Sequence, residues 1–231
     1  MQKKISLLLT LLALPLSSQA GESHLYDFLW LDPDKKVYVL QNKIYQKKNS
    51  LYLDIGFTTN TTSEFEDING ASLKLGYYFH EEWAFELLRN TYSSSTNSAF
   101  ESVKAVNGTE PFIRRPTQIT ALLLVWSPFY GKINTFNKIY YFDWSFGLGY
   151  GEMNAQSNLS SVRNPGSPNI FEDENYNPII LKTNIKFHLN KNFHIGLEFL
   201  NSNIQAGSPK FPDKKEWKQN NDLTIQLGVS F

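Results

Sequence analysis

The chain of 231 residues contains no cysteine. This absence excludes a disulfide framework, a thiolate metal site and a lipid-modified N-terminal cysteine. The 22 basic and 22 acidic residues cancel, so the charge gives no reason to expect nucleic acid as a partner. Helical periodicity is scarce, and no apolar run reaches the roughly 20 residues that a membrane-spanning helix needs. Aromatic residues, in contrast, are abundant at 15%.

The N-terminal stretch MQKKISLLLTLLALPLSSQA has the pattern of a secretory signal peptide. Lys3 and Lys4 form a basic region, an apolar run follows from Ile5 to Leu16, and Ser18-Gln19-Ala20 supplies small residues for cleavage. We therefore expect residues 1–20 to be removed during export. The mature chain would then hold 20 basic and 22 acidic residues, a net charge of −2.

Alternation of apolar and polar residues with a period of two recurs along the chain and predicts β-strands. The eight segments are LYLDIGF (51–57), ASLKLGYYF (71–79), WAFELLRN (83–90), TQITALLLVW (117–126), IYYFDWSFGLGY (139–150), IILKTNIKFHL (179–189), FHIGLEFL (193–200) and NDLTIQLGVSF (221–231). The segment at 117–126 is apolar on both faces, so its register stays open.

Short and long connections alternate between these segments. Short links lie at 80–82 and 190–192, and a link of middling length, SPFYGKINTFNK, lies at 127–138. The long polar links are Thr58–Asn69, Thr91–Pro116, Gly151–Asn177 and Asn201–Asn221. This pattern is typical of an all-β, eight-stranded antiparallel up-and-down transmembrane barrel with short periplasmic turns and long extracellular loops. We assign residues 49–231 to the barrel and 21–48 to a periplasmic extension, which forms either a short segment beyond the barrel or one strand folded against its lower rim.

Alternation alone does not say which face is wet, because a lipocalin-like barrel has an apolar interior. The distribution of aromatic residues favours the membrane arrangement, because one end of the strands carries most of them. This predicts an interfacial girdle at the periplasmic rim. Its expected members are Phe79, Trp83, Trp126, Tyr140, Phe187, Phe193 and Phe231.

The opposite face of the strands is rich in glycine and charge. Asp54, Lys74 and Glu86 lie at similar height on three consecutive strands, and Lys182 and Glu198 lie on two neighbouring ones. Because buried charges must be paired, we expect a filled lumen with two ion clusters. Lys182 and Glu198 should then approach within ~4 Å.

The motif WSPFYGK (Trp126–Lys132), followed by FDWSFGLGYG, resembles the outer-membrane β-barrel family of the Bdellovibrio and myxobacterial type. The segment VYVLQNKIYQKK (Val37–Lys48) is similar to that family's entry segment. The resemblance implies a small outer-membrane barrel and no catalytic residues. From local chemistry, we expect Pro128 to stop the fourth strand and Gly131 to permit a tight periplasmic turn.

The last strand, NDLTIQLGVSF, resembles the C-terminal signature of bacterial outer-membrane barrels. The resemblance implies that Phe231 is an assembly signal read by the barrel-assembly machinery. Leu223, Ile225, Leu227 and Val229 should face outer-membrane lipid beside it.

Nothing in the sequence points to catalysis. The four histidines, His24, His80, His188 and His194, accompany no G-x-S-x-G or H-E-x-x-H string. We therefore expect no enzyme activity, no cofactor and no metal site. The expected role is structural, or surface interaction through the extracellular loops with a partner that the sequence does not name. The alternatives are a narrow channel or transporter for a small solute, and a secreted lipocalin-like ligand-binding barrel.

Overall fold

The computed structural model describes residues 43–108, 110–135, 138–164, 168–210 and 214–231. The expected signal peptide and residues 21–42 of the expected extension lie outside the described residues. The elements are β1 (Ser50–Asn60), β2 (Glu66–Tyr78), β3 (Trp83–Thr96), α1 (Ser98–Asn107), β4 (Arg114–Thr135), β5 (Lys138–Ser157), α2 (Leu159–Arg163), β6 (Glu172–Tyr176), β7 (Ile179–His188), β8 (Phe193–Ala206) and β9 (Glu216–Ser230).

The strands close into one antiparallel barrel of eight staves. Their order is β4-β3-β2-β1-β9-β8-β7-β5, and β4 pairs with β5 to complete the ring. The short β6 continues the line of β7, because Tyr176 pairs with Met153 and Ile179 pairs with Tyr150 in one register along β5. Pro178 lies at the break between them and has no N–H for the ladder. The predicted eight-stranded barrel is therefore confirmed.

The seam between the first and last strands removes the sheet edges. Asp54 pairs with Gly228 and Leu53 with Val229 along β1 and β9. At the end of the seam, Phe231 N donates to Leu51 O at 2.8 Å, and Leu51 N donates back to Phe231 O at 3.2 Å. The last residue of the chain is thus held within the wall.

The barrel exposes apolar side chains on its outside and buries charged side chains inside. Ile55, Phe57 and Leu227 are each at least 60% exposed on the outside, whereas Asp54 and Lys74 are 1% exposed inside. A lipocalin-like barrel requires the opposite arrangement, so that alternative does not fit. In the part of the chain that the structure describes, no helix combines the length and apolarity needed to cross a membrane.

The register of β4, which the sequence left open, gives the lumen an apolar side. Leu122, Leu124 and Trp126 point outward, whereas Leu123 and Val125 are buried inside. The inward residues pack with apolar side chains of the neighbouring strands in one cluster, which includes Leu88, Ile119, Met153, Ile180, Leu200 and Ile204. This side of the interior is therefore filled with hydrocarbon rather than with ions.

The predicted long loops are shorter than expected, because the strands continue beyond the apolar belt. Between β1 and β2 only residues 61–65 remain, and β3 runs on to Thr96, opposite Glu66. The expected boundaries, such as Thr91, were wrong because the outward apolar residues mark the apolar belt and not the end of a strand. The extended strands form a polar collar above the belt.

The link at 127–138 was also predicted wrongly. β4 continues to Thr135 and β5 starts at Lys138, so Pro128 does not end the strand. The ladder shifts between Trp126 and Phe129, and this bulge accommodates the proline. Ser127 N donates to Glu82 O at 2.7 Å instead of to β5.

Gly131 lies in a strand and not in the expected turn. It stands opposite Phe142 on β5, and a Cβ atom at Gly131 would lie 2.4 Å from Phe142 Cζ. The glycine therefore makes room for the ring to cover the backbone. The β4–β5 hairpin extends past its neighbours, because the β3–β4 ladder ends at Trp126 and the β5–β7 ladder ends at Tyr141.

The residues expected to form the girdle lie on the outside at the same end as this hairpin. Trp83 and Trp126 stack across β3 and β4 with ring centroids 6.0 Å apart. Tyr140 differs from the others because it pairs with Ile133, out along the projecting hairpin. The remaining expected members, Phe79, Phe187, Phe193 and Phe231, are all exposed. The sequence reasoning missed Phe129, Trp144 and Phe146, whose rings contact one another and Trp126.

Candidate functional site: the lumen and its two mouths

The centre of the lumen holds a network of four ions that joins opposite walls. Lys74 on β2 lies 2.5 Å from one oxygen of Glu198 on β8. Lys182 on β7 contacts Glu86 on β3 and lies 3.3 Å from the other oxygen of Glu198. All four side chains are at most 1% exposed. Two cations and two anions therefore neutralise one another across the barrel.

The grouping of these ions differs from the sequence-based expectation. Lys182 and Glu198 do lie together, but Lys74 pairs with Glu198 and not with Asp54 or Glu86. The expectation of two separate clusters was wrong, because it considered only residues on adjacent strands as partners. An eight-stranded lumen is narrow enough for a lysine to reach the far wall.

Glycines on the lumen face provide the space for these long side chains. A Cβ atom at Gly147 would lie 2.6 Å from Lys182 Cγ, and one at Gly76 would lie 2.0 Å from Tyr52 Cζ. Neither position accepts a larger residue without displacing the side chain that crosses it. The glycine-rich faces of the second and fifth predicted strands are thus a consequence of the filled interior.

A second group of charges lies closer to the end of the barrel that carries the aromatic rings. Asp54 is 2.8 Å from Lys186 Nζ and 2.6 Å from His194 Nε2. The Lys186 ammonium also lies 3.7 Å from the ring centroid of Tyr52. The Tyr52 hydroxyl donates to Glu86 and so connects this group with the central network.

The mouth of the lumen at the end with the aromatic rings, which we expect to be periplasmic, is covered by residues Lys43–Lys48, which we call the strap. Lys47 enters the lumen, lies 2.7 Å from Asp143 Oδ1 and donates to Ser127 Oγ at 2.8 Å. His188 Nε2 lies 2.7 Å from the other oxygen of Asp143, and Tyr45 stacks on its ring with centroids 4.8 Å apart. Burial lowers the pKa of Lys47, and attraction to Asp143 offsets only part of this effect.

Glu81, in the β2–β3 turn, anchors the strap from outside. Its carboxylate lies 2.8 Å from Lys43 Nζ and accepts hydrogen bonds from the backbone N–H groups of Lys47 and Lys48 at 3.1 and 3.0 Å. Partial burial raises the pKa of Glu81, but these hydrogen bonds outweigh it and hold the pKa below its usual range. The only sign of the strap in the sequence is a weak one, the alternation of Lys43, Tyr45 and Lys47 before β1.

The opposite end of the lumen, beneath the collar, holds a carboxylate of a different kind. Asp222 is fully buried and accepts hydrogen bonds from Tyr92 Oη at 2.7 Å and Asn60 Nδ2 at 2.8 Å. Among the described residues it has no cation within 4 Å, so neutral donors alone hold it. Sequence reasoning did not select Asp222, because it lies at the edge of the alternating pattern.

Above Asp222 the collar surrounds a cavity of about 420 Å³ that opens to the outside. Its floor is apolar and includes Met153 and Ile204, and its rim is polar. Arg114 crosses the rim, because its Nε donates to Glu174 on β6 at 2.8 Å and its Nη2 donates to Gly207 O at 3.0 Å.

A serine, a histidine and an aspartate form a chain of side-chain contacts at the strap end of the lumen. Ser230 Oγ is 3.4 Å from His194 Nδ1, and Asp54 holds the opposite ring nitrogen. The local backbone donors are occupied, since Ser230 N donates to Asn192 O and Phe231 N donates to Leu51 O. The group thus offers no free backbone N–H at Ser230 or Phe231 for an oxyanion. Within the described ranges, no three His, Asp or Glu side chains are placed to hold a metal ion.

Comparison with known proteins gives similarity of structure only. No protein-family model matches the chain, and no curated protein does. The N-terminal β-barrel domain of Pseudomonas aeruginosa OprF is similar at 12% identity and a TM-score of 0.46, over 80% of this chain and 100% of that one. The outer membrane protein OprG from Pseudomonas aeruginosa is similar at 12% identity and a TM-score of 0.46, over 81% of this chain and 98% of that one. Neisserial surface protein A is similar at 11% identity and a TM-score of 0.44, over 78% of this chain and 94% of that one. At these values the likeness carries nothing about the role of this chain.

Proposed function

We propose that this protein is an integral outer-membrane barrel with a filled lumen, which displays its extracellular collar for contact with a partner outside the cell. The observation that carries the proposal is the inverted polarity, with an apolar exterior around buried and paired ions. Such an exterior is stable only against hydrocarbon. The signal-peptide pattern at residues 1–20 and the resemblance of Trp126–Lys132 to an outer-membrane family support the same location.

The dimensions of the apolar exterior fit a bilayer. On β9 the outward apolar residues run from Leu223 to Phe231. This stretch matches the roughly 9–11 residues with which a tilted strand crosses a membrane. Aromatic residues mark the periplasmic end of the belt, as expected at a membrane–water interface.

A filled lumen argues against a general diffusion pore. The central ions occupy the middle, the apolar cluster occupies the β4 side, and the strap covers the periplasmic mouth. The collar remains as the surface that faces outward. It presents exposed Val106 on α1, Ile170 near β6 and Trp217 on β9. A partner that binds this surface would meet apolar side chains on a rigid support.

The decisive experiment is fractionation combined with gel migration before and after boiling. We expect the folded protein in the outer-membrane fraction and a shift in migration on heating. Ile225→Lys places a charge on the lipid face and should reduce the folded, heat-modifiable fraction strongly, because such changes cost about 2–4 kcal/mol near the bilayer centre. Ser93→Lys, on the outer face of the collar, is the matched control and should leave the fraction unchanged.

Location in the soluble periplasm, or equal effects of the two variants, would contradict the proposal. Conductance in planar bilayers addresses the role of the lumen separately. Steady single-channel currents from the unmodified protein would favour the channel alternative over a filled support.

A further inference from the structure

The periplasmic mouth contains a cavity of about 430 Å³ beside the strap. Five lysines line it: Lys43, Lys47, Lys48, Lys186 and Lys191. Asp143 is the one acidic residue that the described part of the chain contributes to the lining, and both of its oxygens are engaged, by Lys47 and His188. The cavity therefore has an excess of cations on its walls.

Ion pairing accounts for three of these lysines. Lys43 pairs with Glu81, Lys47 with Asp143 and Lys186 with Asp54. Lys48 and Lys191 have no acidic partner within 4 Å among the described residues. Counted over side chains alone, five lysines against these three carboxylates leave two positive charges, even with both histidines neutral. Each unpaired ammonium offers three donors.

Further hydrogen-bonding groups face the same space. Ser230 contributes a half-buried hydroxyl, and the side-chain amide of Asn192 lines the cavity beside it. Ser50 and Phe231 also line the cavity and lie at the lower end of the barrel wall, where headgroups of the periplasmic leaflet would reach. Lysine is a common point-charge ligand of phosphate.

We propose that this cavity binds a phosphate group, held by the ammonium groups of Lys48 and Lys191. The phosphate belongs either to a phospholipid headgroup of the inner leaflet or to a free periplasmic anion. The headgroup source rests on the proposed membrane location, whereas binding of the free anion does not.

The test uses the full folded protein, verified by its heat-modifiable migration, in zwitterionic detergent. In the first arm, inorganic phosphate is titrated while the backbone amide signals of Lys191, Asn192 and Ser230 are followed by NMR. In the second arm, native mass spectrometry counts the phosphatidylglycerol molecules that remain bound. The double variant Lys48→Gln/Lys191→Gln should weaken binding at least ~10-fold in the arm that detects it. Lys215→Gln, an exposed lysine of the collar, is the matched control.

Saturable shifts with inorganic phosphate alone identify a free anion, and specific retention of phosphatidylglycerol identifies a headgroup. Binding in neither arm overturns the proposal. So does equal binding by the double variant, or an equal loss in Lys215→Gln. A folded, membrane-inserted protein that fails both arms refutes this site and leaves the proposed function intact.

Discussion

Lys47 and Asp143 join the strap to the barrel wall through a buried ion pair of 2.7 Å. Lys47→Met should release the strap, because Asp143 then keeps His188 as its only titratable partner. Loss of one partner of a buried pair costs about 3 kcal/mol, and we expect protease cleavage near residue 47 to accelerate. Lys48→Met, which removes a neighbouring lysine without an acidic partner in the described structure, is the control. Equal cleavage rates in both variants would show that the pair does not hold the strap.

Acid should also release the strap through Glu81. Because the folded-state pKa of Glu81 lies below its usual range, its contribution to docking is complete above the ordinary glutamate pKa of about 4.3. The contribution is lost as the pH falls through the lowered value. The protection of the Lys47 and Lys48 amides against hydrogen exchange, measured relative to their intrinsic exchange rates, should therefore fall below about pH 4. In Glu81→Gln the protection should be low already at neutral pH, whereas Glu82→Gln should behave like the unmodified protein.

The central ions should contribute strongly to stability. Glu198→Ala leaves Lys74 buried without its anion and removes one of the two carboxylates around Lys182. We expect the free energy of unfolding in lipid vesicles to fall by about 3–5 kcal/mol. Glu216→Ala, which breaks exposed pairs on the collar, should change it little. A loss of stability no greater than that of Glu216→Ala would mean that the network is not held together by charge.

Gly131 should be intolerant of any side chain while Phe142 covers it. Gly131→Ala introduces a Cβ atom 2.4 Å from the ring and should destabilise the hairpin by about 1–3 kcal/mol. Once Phe142→Ala has removed the ring, adding Gly131→Ala should cost much less than it does in the unmodified protein. A double-mutant cycle measures this difference. Additive effects would indicate that the two residues act independently.

Deletion of Phe231 should impair insertion more than it impairs the stability of barrels already assembled. The residue makes two backbone hydrogen bonds to Leu51, yet its side chain is 75% exposed. Phe231→Tyr keeps both features and serves as the control. Insertion is measured by the heat-modifiable fraction in cells, and stability by unfolding of purified barrels. Equal losses in both would contradict an assembly-signal role.

The sequence predicted the barrel because outward residues such as Ile55 and Phe57 alternate strictly with inward ones. It failed where that alternation carries no information. Thr96 lies in a strand whose two faces are both polar, and Pro128 lies in a bulge that keeps the ladder intact. These features depend on pairing with a neighbouring strand, which a single segment does not reveal.

The candidate site was less predictable for a geometric reason. Glu198 was identified as a lumen ion, but its partner Lys74 comes from a strand that is distant in sequence and lies across the interior. The strap falls within the expected extension at 21–48, but the sequence did not decide its position, because a short alternating pattern before β1 resembles an ordinary linker. Contacts across a narrow lumen depend on side-chain length and on the glycines opposite, such as Gly147.

The interruption at Pro178 divides the wall into two parts that differ in how their strands are paired. Below it, every stave is bonded on both sides. Above it, within the described residues, β6 pairs only with β5 and the end of β8 pairs only with β9, and Arg114 bridges the gap between Glu174 and Gly207. The β3–β4 ladder ends at Thr91 and the β1–β9 ladder ends at Asn60, below the ends of β3 and β9. The collar is therefore divided into separate hairpins that stand on a closed cylinder. Insertions beside these gaps would reshape the outer surface of the collar without disturbing the closed ladder below, which allows the exposed end to diversify while the barrel stays constant.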